Sequence, residues 1–142
     1  MSVGLLVVTH NRIGHEFMRT ASNILGLCPL TAECLAIEPD SDPGQVQRRG
    51  EAILRRLDQG DGVLILTDAF GSTPSNVAMR LGEDIGTAVV SGINLPMLLR
   101  VLNYPGLSLH DMQEKALSGG RDGVLLVESS SGQQQRRGSL GP

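Results

Sequence analysis

The chain has 142 residues, of which 40% are hydrophobic and only 2% aromatic, and its formal net charge at pH 7 is −3. This length corresponds to one domain with a sizeable aliphatic core. The charge gives no basic field for nucleic acid, and the apolar runs are far shorter than the roughly 18 residues of a membrane span. No signal peptide is evident, and the spacing of Cys28 and Cys34 is neither a metal nor a redox motif. A cytoplasmic protein with reduced thiols is therefore expected.

Apolar runs and helical patterns alternate along the chain. Strands are predicted at residues 3–9, 31–37, 62–67, 86–91 and 123–128, and helices at about 14–26, 43–59, 73–82, 95–103 and 109–118. This alternation favours an α/β fold with a doubly wound, parallel sheet of five strands and helices on both faces. Residues 1–128 are expected to form the domain, and the Ser-, Gly-, Gln- and Arg-rich stretch 129–142 is expected to be a disordered polar tail.

His10 closes the first predicted strand, after an apolar run that starts at Val3 and includes Thr9. Asp68 closes the third predicted strand in the same way. In open α/β sheets the ligand crevice lies beyond the carboxyl ends of the strands. An imidazole and a carboxylate in these two places can meet, and the sequence therefore predicts a reactive pair at this edge of the sheet.

The loop after Asp68 has the features of a helix start. Gly71 permits a tight turn, Ser72 or Thr73 can cap the helix, and Pro74 fits its first position. The free N–H groups of such a helix start attract anions, phosphate in particular. We therefore expect an anion cradle beside the strand-end pair.

Several phosphate and acyl chemistries do not fit these residues. The chain has neither a P-loop motif nor a GxSxG motif. It also lacks the acidic pair and the lysine with which a receiver domain supports a phosphorylated aspartate at the end of its third strand. A histidine that takes up a phosphoryl group fits better. A carboxylate accepting the Nδ1–H of His10 leaves Nε2 with a free lone pair, and no metal or cofactor is required.

These motifs together resemble the mannose-type IIA component of the bacterial phosphoenolpyruvate-dependent sugar phosphotransferase system. The resemblance covers about residues 3 to 128. It rests on these motifs: Thr9-His10, Thr67-Asp68, Phe70-Gly71-Ser72-Thr73-Pro74 with Asn76, Gly92-Ile93-Asn94-Leu95-Pro96-Met97-Leu98, and Gly119-Gly120-Arg121-Asp122-Gly123.

The resemblance implies a phosphocarrier. His10 would accept phosphate from phosphorylated HPr, a small carrier protein, and pass it to a histidine of a IIB partner that phosphorylates the incoming sugar. Contact with a membrane would occur only through the permease complex. The resemblance also implies a homodimer in which the fifth strand is antiparallel and exchanged between subunits.

We expect His10 and Asp68 to be catalytic and Ser72 and Thr73 to bind phosphate. The expected lining residues of the site are Thr9, Phe70, Gly71 and Asn94. The family commonly has Gly-Gly-Ser-Pro where this chain has Gly71-Ser72-Thr73-Pro74. Ser72 therefore fills a glycine position, while Thr73 keeps the hydroxyl expected near the phosphoryl group.

Two other functions remain open at this stage. The short polar stretch after residue 128 is not expected to hold a IIB domain, so a regulatory phosphorelay protein is an alternative. Phosphorylation of such a protein alters its affinity for a target and would use the same histidine. The phosphoryl-donor subunit of a dihydroxyacetone kinase also has an N-terminal histidine, although the segment from Asn94 to Met97 fits the mannose type better.

Other polar residues near the predicted site have simpler interpretations. His15 is expected to lie on the surface of the first helix, and His110 to be structural. Arg12 either attracts the phosphoryl group or a partner, or belongs to a solvated loop. Asn94 and Pro96 either shape the wall of the crevice or begin the next helix.

Overall fold

A computed structural model of the protein describes residues 2–84 and 86–128. Within these residues the strands are β1 (Gly4–His10), β2 (Ala32–Ile37), β3 (Val63–Thr67) and β4 (Thr87–Ser91). The helices are α1 (Ile13–Leu25), α2 (Pro43–Leu57), α3 (Thr73–Leu81), α4 (Leu95–Leu102) and α5 (Leu109–Asp122). The first four predicted strands and all five predicted helices are confirmed, although α5 runs past its predicted end at residue 118.

The four strands form one parallel sheet in the order β2-β1-β3-β4. Successive residues of β1 point to opposite faces, as strand geometry requires. Leu5 packs in a core layer with side chains of α1, α4 and α5, whereas Leu6 packs in a second layer with side chains of α2 and α3. Helices therefore cover both faces, and the doubly wound α/β prediction is confirmed.

The predicted fifth strand is not formed in the single chain. α5 continues to Asp122 because glycines let it pack directly on α4, and a Cβ on Gly123 would lie 2.3 Å from Pro96 Cβ. Residues 124–127 that follow form no strand, and their apolar side chains are 65–80% exposed. A strand needs a neighbouring edge to satisfy its backbone groups, and this segment pairs with no other strand of the described residues. The predicted tail, 129–142, lies outside the described residues.

The register of the sheet determines where His10 and Asp68 emerge. β1 and β3 are direct neighbours, with Val8 opposite Thr67, so His10 and Asp68 leave the sheet at the same carboxyl edge. The β1 residues before His10 are all buried, which fixes the strand in the core. Among the helices of the described residues, none combines the length and the apolar character needed to cross a membrane.

Candidate active site

His10 and Asp68 are joined by two hydrogen bonds to a single carboxylate oxygen. The backbone N–H of His10 donates to Asp68 Oδ2 at 2.8 Å, and His10 Nδ1 lies 2.8 Å from the same oxygen. The other carboxylate oxygen, Oδ1, accepts the backbone N–H of Ala69 at 2.8 Å. The imidazole is half exposed, whereas only 13% of the Asp68 side chain is accessible. The structure thus places a reachable ring against a mostly buried carboxylate.

Asp68 is held in its charged form. Partial burial of the carboxyl raises its pKa, but the hydrogen bonds from His10 and Ala69 outweigh burial and leave the pKa below its ordinary value. An ionised carboxylate can only accept hydrogen bonds. The proton between the two side chains therefore belongs to Nδ1 of His10.

This proton fixes the tautomer of the imidazole. A neutral imidazole has one N–H donor and one lone pair, so a proton on Nδ1 leaves the lone pair on Nε2. None of the described residues hydrogen-bonds to Nε2 of His10. This geometry leaves the Nε2 lone pair available for reaction.

The loop between β3 and α3 builds the helix start beside this pair. Gly71 has a φ of +87°, a conformation that favours glycine. Ser72 is the N-cap: its hydroxyl accepts the N–H of Ser75 at 3.5 Å and donates to the carbonyl of Ala69 at 2.6 Å. The loop is thereby tied back to the residue that follows Asp68.

A cleft of about 430 Å³ opens next to His10. Its polar lining residues are His10, Asn11, Glu38, Ser41 and Thr73. The rest of its wall is apolar and comes from the end of β2, the loop after it, α2 and α3; it comprises Ile37, Pro39, Pro43, Val46 and Val77. A group attached to His10 therefore faces a space large enough for part of a partner molecule.

Not every predicted lining residue faces this cleft. Thr9 is buried, and its hydroxyl accepts the N–H of Gly14 at 2.9 Å, so it fixes the start of α1. Phe70 is 79% exposed on the loop. Asn94 caps α4 by accepting the N–H of Met97 at 2.8 Å, and its amide donates to the carbonyl of Gly120 at 3.1 Å. Asn94 therefore joins α4 to α5.

The remaining sequence candidates lie around α1. His15 lies on α1 with intermediate exposure, and its Nδ1 is buried and has no hydrogen-bond partner within residues 2–84 and 86–128. Burial, with a contribution from the Arg12 charge, lowers the pKa of His15. Arg12 is exposed and forms no ion pair with a described residue. Cys28 is exposed and Cys34 is partly buried, and the two form no disulfide.

The sequence analysis missed Asn11, which lines the cleft and has a positive φ of +48°. A signal was available, because asparagine is one of the few residues that adopt this conformation and it directly follows a strand end.

Comparison with known proteins decides the family. Residues 4–116 match the family described as "PTS system fructose IIA component", EIIA-man. The chain belongs to this family. The resemblance to mannose-type IIA components that the motifs indicated is thereby confirmed.

Individual relatives of this IIA chain agree with the family. It is 28% identical over 132 residues to the PTS system mannose-specific EIIAB component of Escherichia coli, a match that covers 91% of the chain and 41% of that protein. It is 29% identical over 114 residues to the transcriptional regulatory protein LevR of Bacillus subtilis, covering 76% of the chain and 12% of LevR. The chain thus spans less than half the length of these curated relatives.

Among solved structures, the IIA fold is similar to that of the mannose/sorbose specific IIA subunit of the phosphotransferase system from Enterococcus faecalis. The TM-score is 0.80 at 25% identity, and the match covers 90% of this chain and 96% of that one.

Proposed function

We propose that this chain is a phosphocarrier whose His10 accepts a phosphoryl group at Nε2 from phosphorylated HPr and passes it to a IIB protein. The observation that carries this proposal is the double hydrogen bond from His10 to one oxygen of Asp68, at 2.8 Å each, with Nε2 left free beside a cleft. Membership of the IIA family supports the choice of donor and acceptor.

In the proposed step, a bond forms between Nε2 of His10 and phosphorus while the bond from phosphorus to the donor breaks. The Nε2 lone pair is consumed, so the ring with its Nδ1 proton becomes positively charged. Asp68 stabilises that charge across the 2.8 Å contact. Transfer to the acceptor reverses these changes and returns the neutral ring.

The phosphoryl oxygens in this proposal are bound at the start of α3. The first N–H groups of a helix have no intrahelical partner and attract negative charge. Thr73 lines the cleft with His10, and its hydroxyl forms no hydrogen bond with a described residue. The hydroxyl of Ser72 already donates to Ala69, so Ser72 would bind phosphate only after giving up that bond.

A second candidate function is regulatory. The match to LevR, a transcriptional regulatory protein, covers 76% of the chain and supports a IIA domain whose phosphorylation alters binding to a target. Both functions use the same chemistry at His10. They differ in whether labelled phosphate moves on to a purified IIB protein within seconds or stays on this chain.

The test of the phosphocarrier function is transfer of labelled phosphate from phosphoenolpyruvate through enzyme I and HPr. We expect one acid-labile, base-stable phosphate per chain, and none in His10→Ala. His15→Ala and His110→Ala are matched controls that should keep the label. Label retained in His10→Ala, or no label in the wild-type protein, would overturn the proposal.

We further propose a homodimer that exchanges residues 124–127 as an antiparallel fifth strand. Two observations support it: this segment exposes four large apolar side chains, and among the described residues β4 pairs only with β3. A strand added at the free edge of β4 would satisfy both.

Light scattering after size exclusion tests the exchange. Leu126→Asp should convert the dimer to a monomer, whereas cutting after Ser129 should leave both the dimer and phosphorylation unchanged. A monomeric wild-type protein would contradict the exchange.

A further inference from the structure

Asn11 adopts a left-handed backbone conformation directly after His10. Its φ is +48°, and it is the one non-glycine residue with positive φ in the described part of the chain. This region is unfavourable for ordinary L-residues, and asparagine is among the few that tolerate it. Such strain persists only where the surrounding structure enforces it, and it is enriched at functional sites.

Two successive backbone hydrogen bonds enforce this conformation. The N–H of His10 donates to Asp68 at the end of β3, and the N–H of Asn11 donates to the carbonyl of Ile37 at the end of β2, at 2.9 Å. β1 lies between these two strands. Hydrogen bonds to both neighbouring strand ends therefore fix the main chain at His10 and Asn11.

The chain then reverses within a very short distance. α1 begins at Ile13, and the N–H of Gly14 donates to the hydroxyl of Thr9 at 2.9 Å. A Cβ on Gly14 would lie only 2.9 Å from that hydroxyl oxygen, so the first turn of α1 packs directly on β1. A left-handed residue at position 11 makes this tight reversal feasible without moving His10.

We propose that Asn11 is a positioning residue, whose left-handed turn aligns the His10 ring with Asp68 and leaves Nε2 for the phosphoryl group. The inference rests on the proposed phosphocarrier function. The role belongs to the backbone, because the amide of Asn11 is exposed and forms no hydrogen bond with a described residue. Glycine, which adopts this conformation freely, should therefore replace it.

The experiment compares Asn11→Gly, Asn11→Ala and Asn11→Val for the rate of phosphorylation by phosphorylated HPr. Asn11→Gly should stay within about twofold of wild type. If an ordinary side chain relieves its strain by shifting the turn, the aligned form of His10 becomes rarer by about 5- to 30-fold, and Asn11→Ala should slow by that factor. Asn11→Val, being β-branched, should slow at least as much. Asn23→Ala, an exposed asparagine of α1, is the matched control and should be unaffected.

Nitrogen NMR of the His10 ring gives a readout that a general loss of stability would not move. In folded Asn11→Ala, the signals should show less of the tautomer protonated at Nδ1, and Asn11→Gly should restore it. If Asn11→Val does not fold, Asn11→Ala decides. A wild-type rate and wild-type ring signals in Asn11→Ala would overturn the proposal. An Asn11→Gly protein as slow as Asn11→Ala would also overturn it, because that result would assign the role to the side-chain amide. If the wild-type protein takes no phosphate, the phosphocarrier function fails, and the ring signals alone then decide the positioning role.

Discussion

Replacing Asp68 with asparagine keeps the shape of the side chain but removes its charge and one acceptor. In the native site, Oδ2 accepts two hydrogen bonds from His10 and Oδ1 accepts one from Ala69. An amide has a single oxygen, so its NH2 group must face either the N–H groups of His10 or that of Ala69. The N–H groups of His10, or the N–H of Ala69, then face the NH2 group of the amide and lose their acceptor.

The size of the effect follows from the strength of these bonds. A hydrogen bond to a charged group contributes roughly 1.5–3 kcal/mol, and each 1.36 kcal/mol in the barrier changes a rate about tenfold. The Asp68 side chain is 13% accessible but the His10 side chain is 50% accessible, so water screens part of this contact and the lower part of that energy range applies. We therefore expect Asp68→Asn to accept phosphate about 10- to 100-fold more slowly.

The assay is rapid-quench measurement of phosphoryl transfer from phosphorylated HPr to excess variant. Asp61→Asn is the control, because Asp61 is exposed in the turn before β3, at the opposite end of the sheet. Thermal unfolding of each variant separates a slow reaction from a poorly folded protein. Wild-type transfer by folded Asp68→Asn would remove Asp68 from the mechanism.

Three further predictions concern packing, thiol reactivity and pH. Gly123→Ala places a Cβ 2.3 Å from a proline carbon of α4, and thermal unfolding should show a free energy of unfolding lower by about 1–3 kcal/mol. Gly106→Ala, which has open space around the new Cβ, should leave the free energy of unfolding unchanged. Burial raises the pKa of the Cys34 thiol to about 11, so at pH 7.5 iodoacetamide should modify exposed Cys28 much faster; equal rates would contradict this. Asp68 has a lowered pKa in the folded state, so its contribution to stability is complete above the ordinary aspartate pKa of about 3.9 and is lost as the pH falls towards the folded value. The difference in unfolding free energy between wild type and Asp68→Asn should therefore shrink below about pH 4, and a constant difference would refute the linkage.

The elements that the sequence could predict are those with a local signal. The apolar runs of β1 and β3 are buried, as their composition predicted. Neighbouring parallel strands end at the same edge of a sheet, so the contact between His10 and Asp68 could be predicted once these strands were placed side by side. The cap and turn residues at Ser72 and Gly71 also act locally, so their positions were readable.

The elements that the sequence could not predict depend on distant partners. Residues 124–127 have the composition of a buried strand, but in the described part of the chain they pair with no strand and stay exposed. Asn94 lies at the carboxyl edge of the sheet, yet its amide is taken by Gly120, a partner that no local pattern reveals. His15 shows the same limit, since periodicity along α1 did not reveal how deeply its Nδ1 is buried.

The most direct test of the central claim is to identify which nitrogen of His10 carries the phosphate. Phosphorus and nitrogen NMR of the phosphorylated protein distinguish the two ring positions. The 2.8 Å contact between Nδ1 and Asp68 predicts phosphate on Nε2, with the proton retained on Nδ1. Phosphate on Nδ1, or on any residue other than His10, would contradict the account.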